Sequence, residues 1–100
     1  MQVLLGKVLM DLDGAELLGE DKQPFTLRSA CVAALLAQFE DEKNLPGEEK
    51  LKRWELAVTI KNTSDPAELK AEEIALIKKL IGKAYAAIIV GQTWKFLEGN

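Results

Sequence analysis

Val8-Leu9-Met10-Asp11-Leu12-Asp13-Gly14 is the stretch that decides how the N-terminal part of this chain folds. Asp-Gly is among the strongest two-residue signals for a β-hairpin, because both turn positions need a backbone conformation that Asp and Gly tolerate. The sequence therefore predicts strands at about 7–12 and 15–19, ended by Gly19 and the polar residues 20–24. An isolated hairpin is marginally stable in water, so this one must lie on helices or pair with a second subunit.

The same stretch resembles the first motif of the haloacid dehalogenase phosphatases. The resemblance implies Asp11 as a nucleophile and Asp13 as its acid or base, on a parallel α/β sheet. Three features disfavour this alternative: Ala15 stands where a small hydroxyl residue is expected, a chain of 100 residues is short for that fold, and the sequence after residue 25 reads as helical. We therefore predict no enzymatic activity and keep the phosphatase as a remote alternative.

The sequence offers no convincing metal, cofactor or nucleophilic site. A calcium loop starting at Asp11 fails, because Ala15, Glu16 and Lys22 occupy its fifth, sixth and twelfth positions. Zinc sites are built mainly from cysteine and histidine, and this chain has one cysteine and no histidine. Cys31 lies in the apolar run 30–37, which predicts a packed core thiol. We therefore expect no catalytic residues, no cofactor and no bound metal.

Composition limits the classes of partner. Thirteen basic and sixteen acidic residues give a net charge of −3, which makes nucleic acid an unfavoured partner because its binders usually carry a basic stripe. No apolar run approaches the ~20 residues of a membrane span, and no signal peptide is visible. These features predict a cytoplasmic protein without membrane contact, with association to a virion as an alternative. Hydrophobic residues make up 48% of the chain, enough for a core and for a partner surface.

Apolar periodicity predicts four helices after the hairpin. They span about 27–39, 47–61, a third segment and 86–98; the third begins either at Asp65-Pro66 or after an irregular stretch at Lys70-Ala71. The residues predicted to lie on the main apolar faces of the second and third helices include Leu51, Trp54, Val58 and Tyr85. The predicted fold class is α+β, an N-terminal β-hairpin followed by a compact bundle of about four α-helices. One domain is expected over 1–100, with a hairpin region at 1–24, a helical region at 25–100 and no internal repeat.

The fourth helix is the main candidate for an interface. Residues 86–91 are apolar on every side, and Gly91 costs about 1 kcal/mol against Ala inside a helix, which we interpret as close approach of another helix. The candidate interface residues are Ile88, Ile89, Gly91, Trp94 and Phe96. Surplus apolar surface predicts a symmetric homo-oligomer, a dimer as the first expectation, through the ribbon at 7–19 or this helix.

The pattern along nearly the whole chain resembles a group of small, poorly characterised proteins of tailed phages and prophages. The matching stretches are 8–14, 25–27, 47–57, 69–79, 82–85 and 90–92. The resemblance implies a phage or prophage accessory protein and transfers no catalytic motif. The expected function is therefore non-enzymatic, in assembly or as an accessory factor, through contacts with a phage or host protein. The alternative is a small regulator that binds a host protein, with DNA a less favoured target.

Overall fold

Helices form most of the chain after residue 26 in the computed structural model, which describes residues 1–99. The elements are β1 (Gln2–Val3), α1 (Leu27–Leu36), a 3-10 turn (Glu40–Glu42), α2 (Gly47–Asn62), β2 (Ala67–Glu68), α3 (Ala71–Ala84) and α4 (Ala87–Leu97). The predicted α+β class, with extended N-terminal segments followed by four helices, is confirmed. None of the helices within residues 1–99 has the length and apolar character needed to cross a membrane.

Helix α1 is the centre of the bundle and packs against α2, α3 and α4. This position explains the unbroken apolar run, because a helix with neighbours on several sides buries more than one face. Its buried residues are Leu27, Ala30, Cys31, Ala34 and Leu35. Thr26 is the N-cap, and its hydroxyl accepts a hydrogen bond from Ser29 N–H. The helix ends three residues earlier than predicted, because the chain turns extended at Ala37 and leads into the 3-10 turn beside α2.

The predicted hairpin is present and belongs to a larger ribbon, residues 7–27. Its turn is a three-residue loop over 12–14 and not the predicted two-residue Asp-Gly turn, because Asp11 N–H donates to Ala15 O and only Gly14 of these three residues has a positive φ. The flanking segments pair at isolated bridges, so the strands predicted at 7–12 and 15–19 are wrong in extent. Met10 pairs with Glu16 across the turn, and Gly14 adopts the positive φ of +85° that this turn needs. A third segment continues the pairing, with Leu18 opposite Pro24 and Val8 opposite Thr26. The ribbon lies on the helices of its own chain, one of the two arrangements that the sequence left open.

Backbone hydrogen bonds close the ribbon into a three-sided ring. Leu9 N–H donates to Phe25 O, Phe25 N–H to Leu17 O, and Leu17 N–H to Leu9 O, over 2.7–2.9 Å. These three residues are eight positions apart along the chain. Three further donors, Asp11, Gly19 and Leu27, are also eight positions apart, and they bond to the carbonyls of Ala15, Gln23 and Lys7. The backbone of the ribbon therefore repeats at an eight-residue step that was not predicted from the sequence. The ring residues Leu9, Leu17 and Phe25 are all apolar, and Gly14 and Lys22, also eight residues apart, both adopt a positive φ.

Asp65 ties the N-terminus to the loop after α2, and does not cap a helix as one alternative proposed. Its carboxylate accepts hydrogen bonds from the N–H groups of Leu5 and Gly6, each at 2.8 Å, and from Arg28 at 3.3 Å. Arg28 also donates to the carbonyls of Ile60 and Thr63. Beside this cluster β1 and β2 pair antiparallel. Helix α3 begins at Ala71, as the second alternative proposed, and Glu73 accepts the Lys70 N–H at its start.

The close approach between α3 and α4 occurs at Gly82, and the prediction that Gly91 provides it is wrong. A Cβ atom at Gly82 would lie 3.3 Å from Trp94 Cζ2, whereas a Cβ at Gly91 would meet nothing within 4 Å. We expect Gly91→Ala to stabilise the chain by up to about 1 kcal/mol, through helix propensity alone. Gly82→Ala should gain less, because Trp94 must shift. Thermal unfolding of both variants checks this, and a destabilised Gly91→Ala would mean that α4 is packed differently.

Candidate functional site

Helix α2 presents to solvent the face that its apolar pattern predicted to be buried. Trp54 is 56% exposed and Leu51 is 55% exposed, so their predicted place in the core is wrong. The face turned toward α1 instead carries Arg53, Leu56, Ala57 and Ile60. Both faces have helical spacing, and periodicity favoured the one with the larger apolar side chains. Because Arg53 is charged, the sequence pattern did not predict burial of the face that carries it.

Arg53 is buried because Glu42 pairs with it from the 3-10 turn. Arg53 Nη1 and Nη2 donate to the two carboxylate oxygens of Glu42 at 2.7 and 2.9 Å, the bidentate geometry of a strong charged pair. Lys83 at the end of α3 adds contacts to Glu42 at 3.3 Å and to Asp41 at 2.8 Å. Its ammonium also lies 4.6 Å from the centre of the Phe39 ring. The cluster fixes the 3-10 turn against α2 and α3.

The electrostatics of this cluster keep Glu42 ionised. Hydrogen bonds from Arg53, with a smaller contribution from Lys83, lower the pKa of Glu42 from 4.5 to about 2, although burial acts in the opposite direction. The hydrogen bond with Glu42 in turn raises the pKa of Arg53. Arg53 Nε is buried and has no hydrogen-bond partner within residues 1–99. Both terminal nitrogens of Arg53 are therefore bonded to Glu42, whereas the Nε–H donor has no partner in this part of the chain.

An open groove of about 510 Å³ lies between the C-terminal end of α1, residues 37–45 and α2. Its walls include Leu36, Phe39, Leu45 and Trp54, with the Arg53–Glu42 pair among the lining residues. Leu36 is 53% exposed, so both sides of the groove offer apolar surface to solvent. Two exposed lysines, Lys43 and Lys50, and the exposed Glu40 complete it.

Exposed apolar surface continues along α2 beyond the groove. We call Leu36, Leu51, Trp54 and Val58 the α2 patch; the last three are spaced i, i+3 and i+7 and share one side of the helix. Scattered exposed apolar residues are ordinary, whereas several on one side of a helix beside a groove favour an interaction site. The α2 patch and the groove together are the candidate functional site. The apolar pattern of the second helix had predicted burial of Leu51, Trp54 and Val58.

The ribbon carries a second apolar projection. Leu12, at the tip of the Asp-Gly turn, is 95% exposed. The turn below it is well fixed: Asp11 Oδ1 accepts the N–H groups of Asp13 and Ala15, and Asp11 O accepts that of Gly14. Acidic residues and no basic ones occupy positions 11–21. The tip is therefore a rigid, acidic support for one exposed leucine.

The predicted interface residues of α4 fall into two groups. Ile88 and Gly91 are exposed, whereas Ile89, Trp94 and Phe96 are partly buried against the core. Trp94 Nε1 donates to Lys78 O at 3.1 Å, so the polar edge of this ring is used within the chain. Gln92 of the same helix exchanges hydrogen bonds with the backbone of Met10, which docks the ribbon on α4. Participation of α4 in an interface stays a prediction.

The residues considered as catalytic or metal-binding candidates are used by the fold itself. Asp11 lies at the turn of an antiparallel ribbon and uses a carboxylate oxygen to hold that turn. Cys31 is fully buried as predicted, and burial raises the pKa of its thiol to about 12, which keeps it protonated at neutral pH. Within residues 1–99, Asp, Glu and Cys side chains form no group of three that could hold a metal ion.

Comparison with known proteins leaves the candidate site to be interpreted from its own geometry. No protein-family model, curated protein or solved structure matches this chain.

Proposed function

We propose that this chain is a non-enzymatic interaction protein of a phage or prophage, acting in assembly or as an accessory factor in the bacterial cytoplasm. The observation that supports a binding role is the α2 patch beside the groove, where a tryptophan and three aliphatic side chains face solvent. Tryptophan is enriched among the residues that dominate binding energy at interfaces. The phage origin rests on the resemblance of stretches such as 47–57 and 69–79.

The proposal includes self-association, with a dimer as the first expectation. A net charge of −3, without a basic stripe, favours protein over nucleic acid as the partner class. Burial of the α2 patch on association would remove apolar surface from water, which stabilises a complex in proportion to the area buried.

Photo-crosslinking in the bacterium that carries the gene tests this proposal. A crosslinking amino acid at Val58, at the edge of the α2 patch, should capture phage capsid or tail proteins, or a second copy of the chain. The same group at Lys79, exposed on α3, is the matched control. Crosslinks to polymerase or repressor components would favour the regulator instead. Crosslinking at Val58 no stronger than at Lys79 would refute a binding role for the α2 patch.

A further inference from the structure

We propose that the ribbon tip of one copy of this chain, led by Leu12, seats in the α1–α2 groove of a second copy. This inference rests on the proposed function, since it assigns the partner and the contact of its self-association. The tip and the groove match in size, and both combine apolar side chains with opposite charges.

The tip is suited to insertion because little of it needs to be ordered on binding. Leu12 projects from a turn held by three hydrogen bonds to Asp11, and Gly14 supplies the positive φ that closes it. Association is favoured when the binding segment is already fixed, because less conformational entropy is lost. Because Leu12 is 95% exposed in the single chain, a partner can bury nearly the whole side chain and gain the corresponding free energy.

The groove supplies apolar side chains on two walls and sufficient space. Its volume of about 510 Å³ lies in the range of sites that hold small ligands and exceeds the space that one leucine side chain needs. Leu36 and Trp54 provide apolar walls on its two sides. The Glu42–Arg53 pair fixes the intervening 3-10 turn, so the groove is already formed before a partner binds.

Charge favours tip-in-groove contact over contact between two ribbons. The ribbon carries five acidic residues, Asp11, Asp13, Glu16, Glu20 and Asp21, against two basic ones, Lys7 and Lys22, and neither lysine lies at the tip. Two ribbons facing each other would place like charges together, which opposes association. In the groove, Lys43 and Lys50 outnumber the single exposed acid Glu40, and Glu42 is already paired with Arg53. Opposite charges therefore meet when the tip enters the groove.

The position of the two features makes the contact intermolecular. The ribbon leads directly into the N-terminal end of α1, whereas the groove lies at the C-terminal end of the same helix. Leu12 is exposed, so it does not occupy the groove of its own chain. A contact between two different surfaces generates a ring if its rotation closes and a filament if it does not; a two-fold dimer forms where both contacts are made at once.

Light scattering and sedimentation velocity on the full chain test the proposal with two variants, Leu12→Glu and Trp54→Glu. Both positions are exposed, so the fold should survive, and circular dichroism checks this. The wild-type mass should rise above that of a monomer as concentration increases. Each single variant should associate roughly thirtyfold more weakly, the effect of losing a hot-spot side chain. Lys50→Glu and added salt should also weaken assembly, because the charge contribution is exposed.

Mixing the two variants is the decisive measurement. Leu12→Glu keeps an intact groove and Trp54→Glu keeps an intact tip, so together they should form a one-to-one dimer that grows no further. A mixture that stays monomeric, a wild type that is monomeric at high micromolar concentration, or a Leu12→Glu variant that assembles normally would overturn the inference. The exposed Leu4 gives the control, because it lies outside both the ribbon and the groove, so Leu4→Glu should assemble like wild type. Crosslinks from Val58 to another protein, without self-assembly, would refute this inference and the proposed self-association, and would leave the proposed binding role of the α2 patch standing.

Discussion

Replacing Glu42 with alanine is expected to lower the free energy of unfolding by about 3–5 kcal/mol, the cost of removing one partner from a buried ion pair. Glu42 accepts both terminal nitrogens of Arg53, and both side chains are largely buried. Without the carboxylate the guanidinium stays in the interior with its charge uncompensated, and its Nε already has no partner within residues 1–99. Such a loss is a large share of the stability of a small domain.

Urea denaturation of Glu42→Ala measures this loss. Glu49→Ala is the matched control, because it removes the exposed contact of Glu49 with Lys52 at 3.8 Å, where a change of at most about 0.5 kcal/mol is expected. Adding Arg53→Met to Glu42→Ala should restore much of the stability, since the unpaired charge is then gone. Equal losses for Glu42→Ala and Glu49→Ala would mean that the buried pair is not what holds the turn.

The same pair should give acid sensitivity of a defined sign. The pKa of Glu42 in the folded chain is about 2, below its ordinary 4.5, so the folded state binds this proton more weakly than the unfolded state. Its stabilisation is therefore complete above about pH 4.5 and is lost as the pH falls toward 2. The stability difference between wild type and Glu42→Gln should shrink over that interval. A constant difference from neutral pH to pH 2 would contradict the assignment.

Local signals in the sequence predicted most of the fold. The Asp13-Gly14 turn, the Thr26 cap and the apolar spacing of α3 each act within a few residues, so their structural outcome is encoded nearby. The pairing of β1 with β2 and the capture of the N-terminal backbone by Asp65 join residues about sixty positions apart. No local pattern marks such a pairing, and Asp65-Pro66 followed by Glu68 matched a capping box by composition alone.

The candidate site was missed because helix α2 has two apolar faces. Trp54, Leu51 and Val58 form the larger one, and hydrophobic burial alone would turn it inward. The bidentate pair between Glu42 and Arg53 allows the other face to be buried, since it satisfies a charge that would otherwise prevent it. Choosing between the faces required knowing that residues 40–42 return to α2. The ion pair therefore makes exposure of that apolar surface compatible with burial of the opposite face.

Replacing Leu9 with alanine is expected to cost about 2–5 kcal/mol, the range for removing a buried leucine side chain. Leu9 is fully buried, and its backbone both donates to and accepts from the ring that joins it to Leu17 and Phe25. It lies outside the main core cluster, so the cavity would form within the ribbon. Denaturant unfolding should report the loss, and hydrogen exchange should show the amides of Leu17 and Phe25 losing protection first.

Leu12→Ala is the matched comparison, since the same side chain is removed three residues away at the exposed tip. Measured at concentrations where the chain is monomeric, it should change stability by no more than about 0.5 kcal/mol. The two leucines share the apolar-rich stretch 8–14, and only the ribbon geometry assigns one to the interior and the other to solvent. If Leu12→Ala is as destabilising as Leu9→Ala, the turn folds inward, and the tip is unavailable to a second copy.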